Sequence, residues 1–206
     1  MAERIVVLGA GGHSKIVVAA LQDSGRPPAL VLDDDSTKWH SELLGVPVSG
    51  PIAQGDEARV DAAIAAFGNN RLRAEMTSPM TLTWATAVHP TAYVHPSVRL
   101  GPGTLVAAGA IVQPGVVTGA HTIINTGASV DHDCVLGDFV HIAPGAHLAG
   151  AVRIGPGTLI GIGSAVVPGV VVGSWVKVGA GAAVTGDLPS ECVAVGVPAQ
   201  PIGRSD

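Results

Sequence analysis

Aromatic residues are nearly missing from this chain: three Trp, two Phe and one Tyr make 3% of its 206 residues. A core built without rings is narrow and is filled by stacked, branched aliphatics. Charged residues are scarce too, at 13%, and the net charge of −5 excludes the basic footprint of a nucleic-acid binder. Two cysteines, Cys134 and Cys192, are too few for a disulfide framework, and Cys134 reads as a buried free thiol. No signal-peptide pattern opens the sequence, which runs straight into a strand, so the cytoplasm is the plain expectation. The 47% hydrophobic content and the uncharged run from Ile154 to Val176 would fit a membrane protein. That run contains Pro156, Pro168 and a glycine every few residues, which a membrane helix would not carry.

What is present instead is a period of six. From Val88 to Val184 every sixth residue is aliphatic except Thr118, through Val106, Ile124, Ile142, Ile160 and Val178 among others. Four residues after each stands something small, such as Ala110, Ala128, Cys134, Ala146 or Ser164. A six-residue period is the mark of a parallel β-helix. Three units make one triangular turn, so each residue stacks on its equivalent one turn away, and nearly six turns give a prism about 27 Å long. The pairs Pro102-Gly103, Pro114-Gly115, Pro144-Gly145, Pro156-Gly157 and Pro168-Gly169 fall in one slot of the repeat and mark its corners. The period is silent on handedness; the general rule for parallel crossovers favours right-handed.

The stretch that precedes the repeat follows another grammar. Arg4 to Leu8 reads as a buried strand, then Gly9-Ala10-Gly11-Gly12-His13-Ser14 as a glycine-rich turn, with a helix over Ser14 to Asp23. A second strand, Ala29 to Leu32, ends in Asp33, Asp34 and Asp35; a third, Ala62 to Phe67, ends in Gly68-Asn69-Asn70 before a short helix over Arg71 to Met76. This is a Rossmann-like unit, whose ligands lie at the carboxyl ends of its strands. Residues 1–80 are expected to form that domain and 81–206 the β-helix, capped from about 185. Glycines admit a diphosphate to a helix N-terminus, and Asp33 to Asp35 would meet ribose or base. The alternative is a tight turn without a ligand, and for Asn69-Asn70 an ordinary helix start.

Among the eight histidines, His132 stands out. His132-Asp133 occupies the corner slot that Pro-Gly fills elsewhere, so the ring points off an edge, with Pro114 beneath and Gly150 above. Asp133 would orient the imidazole as a general base, and the N–H beside Gly150 would suit an oxyanion. The alternative is an exposed polar corner. His121, His141 and His147 have no other histidine one turn above or below, so one chain has no obvious metal geometry; a site pooled between subunits stays open.

The segments GAGGHS, DDD, FGNNRLR, SVDHDCVLGDFVHIAPGAHLAG and AVGVPAQ, in that order, resemble the bacterial sugar acetyltransferases. The resemblance spans nearly the whole chain and is nearest to the nucleotide-amino-sugar N-acetyltransferases of the bacillosamine pathway (PglD-like), with sialic acid O-acetyltransferases as relatives. It implies a left-handed β-helix, a homotrimer with sites between subunits, acetyl-CoA as donor and a nucleotide-linked amino sugar as acceptor, UDP favoured. By the same resemblance His132 is the base with Asp133 beside it, where relatives carry Glu. His141 lies near acetyl-CoA, Gly150 polarises the thioester, and Ile162 and Ala180 contact the coenzyme. Gly11, Gly12, His13, Ser14 (Gly in relatives), Asp33, Asp34, Asn69 and Arg73 hold the nucleotide-sugar.

The expected reaction is direct acetyl transfer to the amine of a nucleotide-linked 4-amino-4,6-dideoxy sugar, without metal, nucleic acid or membrane insertion. O-acetylation of a sugar such as sialic acid is the alternative within the same chemistry. A metal-dependent hydratase of carbonic-anhydrase type and a non-catalytic nucleotide-binding scaffold are the alternatives outside it.

Overall fold

The structure, a computed structural model, describes residues 3–55 and 60–205. The N-terminal unit is a five-stranded sheet. Strand β1 (Ile5–Leu8) leads into helix α1 (Gly12–Asp23), followed by β2 (Leu30–Leu32), the hairpin β3 (Glu42–Leu43) and β4 (Val46–Ser49), β5 (Ala62–Ala65) and helix α2 (Asn70–Thr77). Strand order is β3-β4-β2-β1-β5, all parallel except β3. The β3–β4 hairpin was not legible in the sequence: Pro47 interrupts the only run long enough to read as a strand, and β3 has two residues.

From Ala87 onward the chain winds as a three-sided prism of two-residue strands. One face stacks from Ala87–Val88 through Leu105–Val106, Ile123–Ile124, His141–Ile142 and Leu159–Ile160 to Lys177–Val178. A second runs from Tyr93–Val94 to Ala183–Val184, and a third from Val117–Thr118 to Val171–Val172. Register holds from turn to turn, as in Ile124↔Ile142↔Ile160. The second residue of each strand points inward, so Val106, Ile124, Ile142, Leu148 and Ile160 belong to one aliphatic core with Ala110, Ala128, Cys134 and Ala146. Thr118, the exception to the rule, is buried and accepts the Gly101 N–H at 3.0 Å, so its hydroxyl is not stranded. Beyond Val184, Cys192–Val195 pairs parallel to Lys177–Val178 and Gln200–Arg204 returns antiparallel, placing Leu188, Cys192 and Ala194 over the end of the core.

The corners carry the chemistry of the fold. From Gly103 to Gly181 each turns through a residue in the left-handed backbone region, and equivalent residues of successive turns share a corner column. Between the first and second faces the column is glycine from Gly109 onward: Gly109, Gly127, Gly145, Gly163 and Gly181. Between the third and first it reads Gly103, His121, Phe139, Gly157 and Trp175. Between the second and third, Asp133 and Ala151 stand among glycines. A side chain costs about 1–2 kcal/mol in that conformation, so the non-glycine corners are where one is needed.

The His121–Phe139–Trp175 column is where the N-terminal unit docks. His121 stacks on Phe139 (centroids 5.2 Å apart) and meets Trp84 edge-on at 4.6 Å; Arg71 lies over Trp175 at 4.7 Å. Arg73, expected on the nucleotide-sugar, is buried in this seam instead. It donates to the carbonyls of His121 (2.9 Å), Phe67 (2.8 Å) and Phe139 (2.8 Å) and to Asn70 Oδ1 (2.9 Å), while Asn70 Nδ2 donates to the Gly157 carbonyl at 3.0 Å. Leu105 and Ile123, outward on the first face, join the core of the N-terminal unit. Removing the guanidinium strands three carbonyls, each worth about 1–3 kcal/mol when buried without a donor. Arg73→Ala is expected to lower stability by about 3 kcal/mol or more, read from the urea midpoint; an unchanged midpoint would exclude this role.

Candidate active site

At the carboxyl edge of the N-terminal sheet a cleft of about 450 Å³ is lined by Gly9, Gly11, Gly12, His13, Asp33, Asp34, Lys38, Phe67 and Asn69, among others. Helix α1 starts at Gly12 with Gly11 as N-cap, so the first N–H groups of the helix sit at the cleft wall, a setting that suits an anion. Asn69 caps α2 by accepting from the Leu72 N–H at 3.0 Å, and it also lines the cleft, so the helix-start reading and the cleft reading both describe it.

Of two expected ligand contacts, Ser14 turns inward and Asp33 lines the cleft while bonded to the protein itself. Ser14 is fully buried: its hydroxyl donates to the Gly9 carbonyl (2.6 Å) and accepts from the Gly11 N–H (3.1 Å), so it shapes the turn and does not line the cleft. Asp33 reaches the cleft wall, but its carboxylate accepts from the N–H groups of Ala10 (2.6 Å) and Asp35 (2.9 Å) and from Lys38 Nζ (3.1 Å). Burial alone would raise its pKa; those donors outweigh burial and hold it below the usual carboxylate value. Asp33 thus ties the glycine turn to β2. Asp34 is the exposed carboxylate, one oxygen accepting from the Ile52 N–H at 2.8 Å.

A second hollow, about 480 Å³, runs along the all-glycine corner. It brings together His141, Ile162 and Ala180 with Ala143, Pro144 and Val193, and it shares Gly68 with the first cleft. A Cβ added at Gly145, Gly163 or Gly181 would meet nothing within 4 Å, so this edge is bare and open to an elongated ligand. His141 is buried at the junction. Its Nδ1 donates to the Gly68 carbonyl (3.2 Å) and Nε2 pairs with Asn125 Nδ2 (3.1 Å), which sets a neutral tautomer with both nitrogens in use. Asn125 was missed in the sequence; a polar residue on an otherwise apolar repeat was the available signal.

His132 and Asp133 lie on a different corner and line neither hollow. His132 Nδ1 is 2.9 Å from Asp133 Oδ2, and the two side chains are 60% and 71% exposed. The hydrogen bond to Asp133 raises the histidine's pKa, with the charge of Asp131 acting the same way. Nε2 faces Gly150: a Cβ there would come within 2.5 Å of it. Pro114 and Pro168 share the Gly150 position in the column, and neither has an N–H to give. The slot has no ladder acceptor, so the Gly150 N–H has no partner among the described residues. Cys134, next in sequence, is buried with its thiol pushed up to about 11, first by burial, so no thiolate stands beside His132.

This arrangement has relatives. Residues 4–79 match the family described as the PglD N-terminal domain. PerB from Caulobacter crescentus, solved with CoA and GDP-perosamine, is 39% identical over 98% of this chain and 99% of its own, with a TM-score of 0.92. The acetyltransferase domain of PglB from Neisseria gonorrhoeae, solved with acetyl coenzyme A, is 38% identical over 98% and 100%, also at 0.92. The chain belongs to the nucleotide-amino-sugar N-acetyltransferases of the left-handed β-helix class. It is an acetyltransferase. Handedness is therefore left, against the general crossover rule, as the resemblance implied. No curated protein matches the chain. Among the described residues no helix is long and apolar enough to cross a membrane, and no group of three His, Cys, Asp or Glu side chains is placed within one chain to hold a metal.

Three neutral imidazoles surround the buried guanidinium of this acetyltransferase. Burial first, then the charge of Arg73, lowers His13 and His121 to about 4 and His141 to about 3. The Nε2 of His13 and the Nδ1 of His121 are buried without a partner. Unfolded, all three take a proton near 6.5. Above that pH nothing is lost; below it the unfolded chain binds protons that the fold refuses. Stability should therefore decline by up to about 1.4 kcal/mol per pH unit for each histidine between pH 6.5 and 4. Urea midpoints measured from pH 7.5 to 5 test this, and a flat profile contradicts it.

Proposed function

We propose that the chain transfers the acetyl group of acetyl-CoA to the amine of a nucleotide-linked 4-amino-4,6-dideoxy sugar. The observation that carries this reading is the meeting of two hollows at Gly68. The cleft at the α1 N-terminus offers N–H donors for a diphosphate and Asp34 for ribose or base, with His13, Gly11, Gly12 and Asn69 on its walls. The bare glycine corner, with Ile162 and Ala180, suits a pantetheine arm. As to the nucleotide, the sequence resemblance favoured UDP, but PerB carries a GDP-sugar and shares 39% of this sequence. Guanosine diphosphate is the better candidate.

The base and the donor groove lie on different corners, yet both corners bound the same face. The outward side chains of that face are Tyr93, Ile111, Ser129, His147, Ala165 and Ala183, none of them an acid, lysine or arginine. Three copies with this face turned to a common axis would bring His132 of each protomer to the glycine corner of the next. Such a homotrimer completes three sites, each from two chains, and covers His132 and Asp133.

In that site the sugar amine attacks the thioester carbonyl carbon. His132 Nε2 takes a proton from the amine as the N–C bond forms, and the Gly150 N–H donates to the developing oxyanion. Collapse breaks the C–S bond, the amide remains on the sugar, and CoA leaves with a proton as the thiol. Direct transfer fits because neither cysteine is exposed beside a base. His141, with both nitrogens engaged, shapes the groove rather than moving the proton.

His132→Ala is expected to reduce kcat by roughly 10²–10⁴-fold with acetyl-CoA binding retained by calorimetry; near-normal turnover removes His132 from the mechanism. The rate should rise with pH through a break above the ordinary histidine value, and Asp133→Asn should move that break down. An unmoved break would deny Asp133 its part. For the acceptor, thermal shifts with GDP, UDP and dTDP should favour GDP, and mass spectrometry of the product should place the acetyl group on nitrogen. A larger shift with UDP would restore the first expectation.

A further inference from the structure

The face between the two half-sites carries one polar arrangement that acetyl transfer does not use. His147 stands exposed at its middle, with Ser129 in the turn below and Ala165 in the turn above. Its Nδ1 lies 2.8 Å from Ser129 Oγ. With Nδ1–H donating to that hydroxyl, the Nε2 lone pair is left facing away from the prism. An imidazole whose second nitrogen is held by an oxygen is the ordinary setting of a metal ligand.

We propose that three copies of His147, one from each protomer, bind a single zinc-class divalent cation through Nε2 on the threefold axis. This rests on the trimer argued above, with this face inward. The dimensions agree. Six residues, corner included, make a side of about 18 Å. Three such sides closed edge to edge put the middle of each about 5 Å from the axis. An imidazole side chain and a metal–nitrogen bond of about 2 Å together span roughly that distance. Three neutral imidazoles leave a fourth, tetrahedral position for water.

The neighbouring layers agree with this. On one side Tyr93 and Ile111, both large and exposed in the single chain, would meet their copies and seal the axis. On the other, Ala165 and Ala183 are too small to fill it and leave a shaft through which an ion and its water can enter. Each chain supplies one ligand, which is why no metal-binding group is found among the described residues of a single copy. The ion's role there is to clamp the assembly, since the acetyl-transfer corner lies at the edge of the face and the axis at its centre.

The test begins with chelator-treated enzyme, sized by light scattering and then dialysed against micromolar zinc chloride. The expected result is one zinc per three chains, with the thermal midpoint raised. His147→Ala, or His147→Gln if the alanine variant does not assemble, should be trimeric, should transfer acetyl groups at the wild-type rate and should retain no zinc. Ser129→Ala should bind zinc about 10–100-fold more weakly. Cobalt(II) should give the visible absorption of a tetrahedral site, lost in the His147 variant. A trimer that takes up no zinc, one zinc per chain, or zinc retained without His147 overturns the site. A chain that is not trimeric overturns instead the assembly on which it rests.

Discussion

The constraint on which this structure depends is the corner. A strand of two residues must turn every six, and from Gly103 to Gly181 each turn passes through a left-handed backbone position that a side chain enters only at a cost. Glycine fills most of these positions, and the column from Gly109 to Gly181 between the first and second faces is therefore bare. The same rule makes the exceptions informative. His121, Phe139 and Trp175 are strained into one column because the N-terminal unit docks on them, and Asp133 because a histidine must be held. A rule of backbone sterics thus separates three columns: a bare edge, the seam between the two units, and the corner that carries His132.

Electrostatics then separates histidines that are chemically alike. Around the Arg73 guanidinium, itself lowered by burial to about 9 and still charged at neutral pH, the imidazoles of His13, His121 and His141 are kept neutral by desolvation and by the nearby cation. His132, exposed and paired with a carboxylate, is shifted the opposite way. A buried, neutral ring packs as a wall; an exposed ring with a raised pKa can accept a proton. The division follows from burial and neighbours alone. Cys134, one residue from the dyad, is removed from the chemistry by the same means, since burial keeps it a thiol.

Three residues expected on the nucleotide-sugar are engaged by the protein itself. Arg73, Ser14 and Asp33 have side chains that ligands favour; Asp33 directly follows β2, Ser14 lies in the first turn of α1 and Arg73 in α2. Each is consumed by the protein's own backbone: Arg73 by three carbonyls, Ser14 by the turn it sits in, Asp33 by two N–H groups and Lys38. Donor and acceptor inventories are visible in a sequence; whether they are already spent is not. Asn125 is the converse, a buried amide in the repeat whose use appears only when His141 is placed beside it.

The six-residue period determined the prism, the direction of each side chain and the isolation of His132 on a corner, because stacking from one turn to the next is a local geometric consequence of the repeat. The glycine-rich turn and the strand ends likewise located the cleft at the N-terminus of α1, since such turns are local. Tertiary structure alone decided how the two units meet. His13 and His141, far apart along the chain, come to 6.0 Å, and Gly68 joins two hollows into one path, because docking depends on which corner column carries side chains large enough to receive α2.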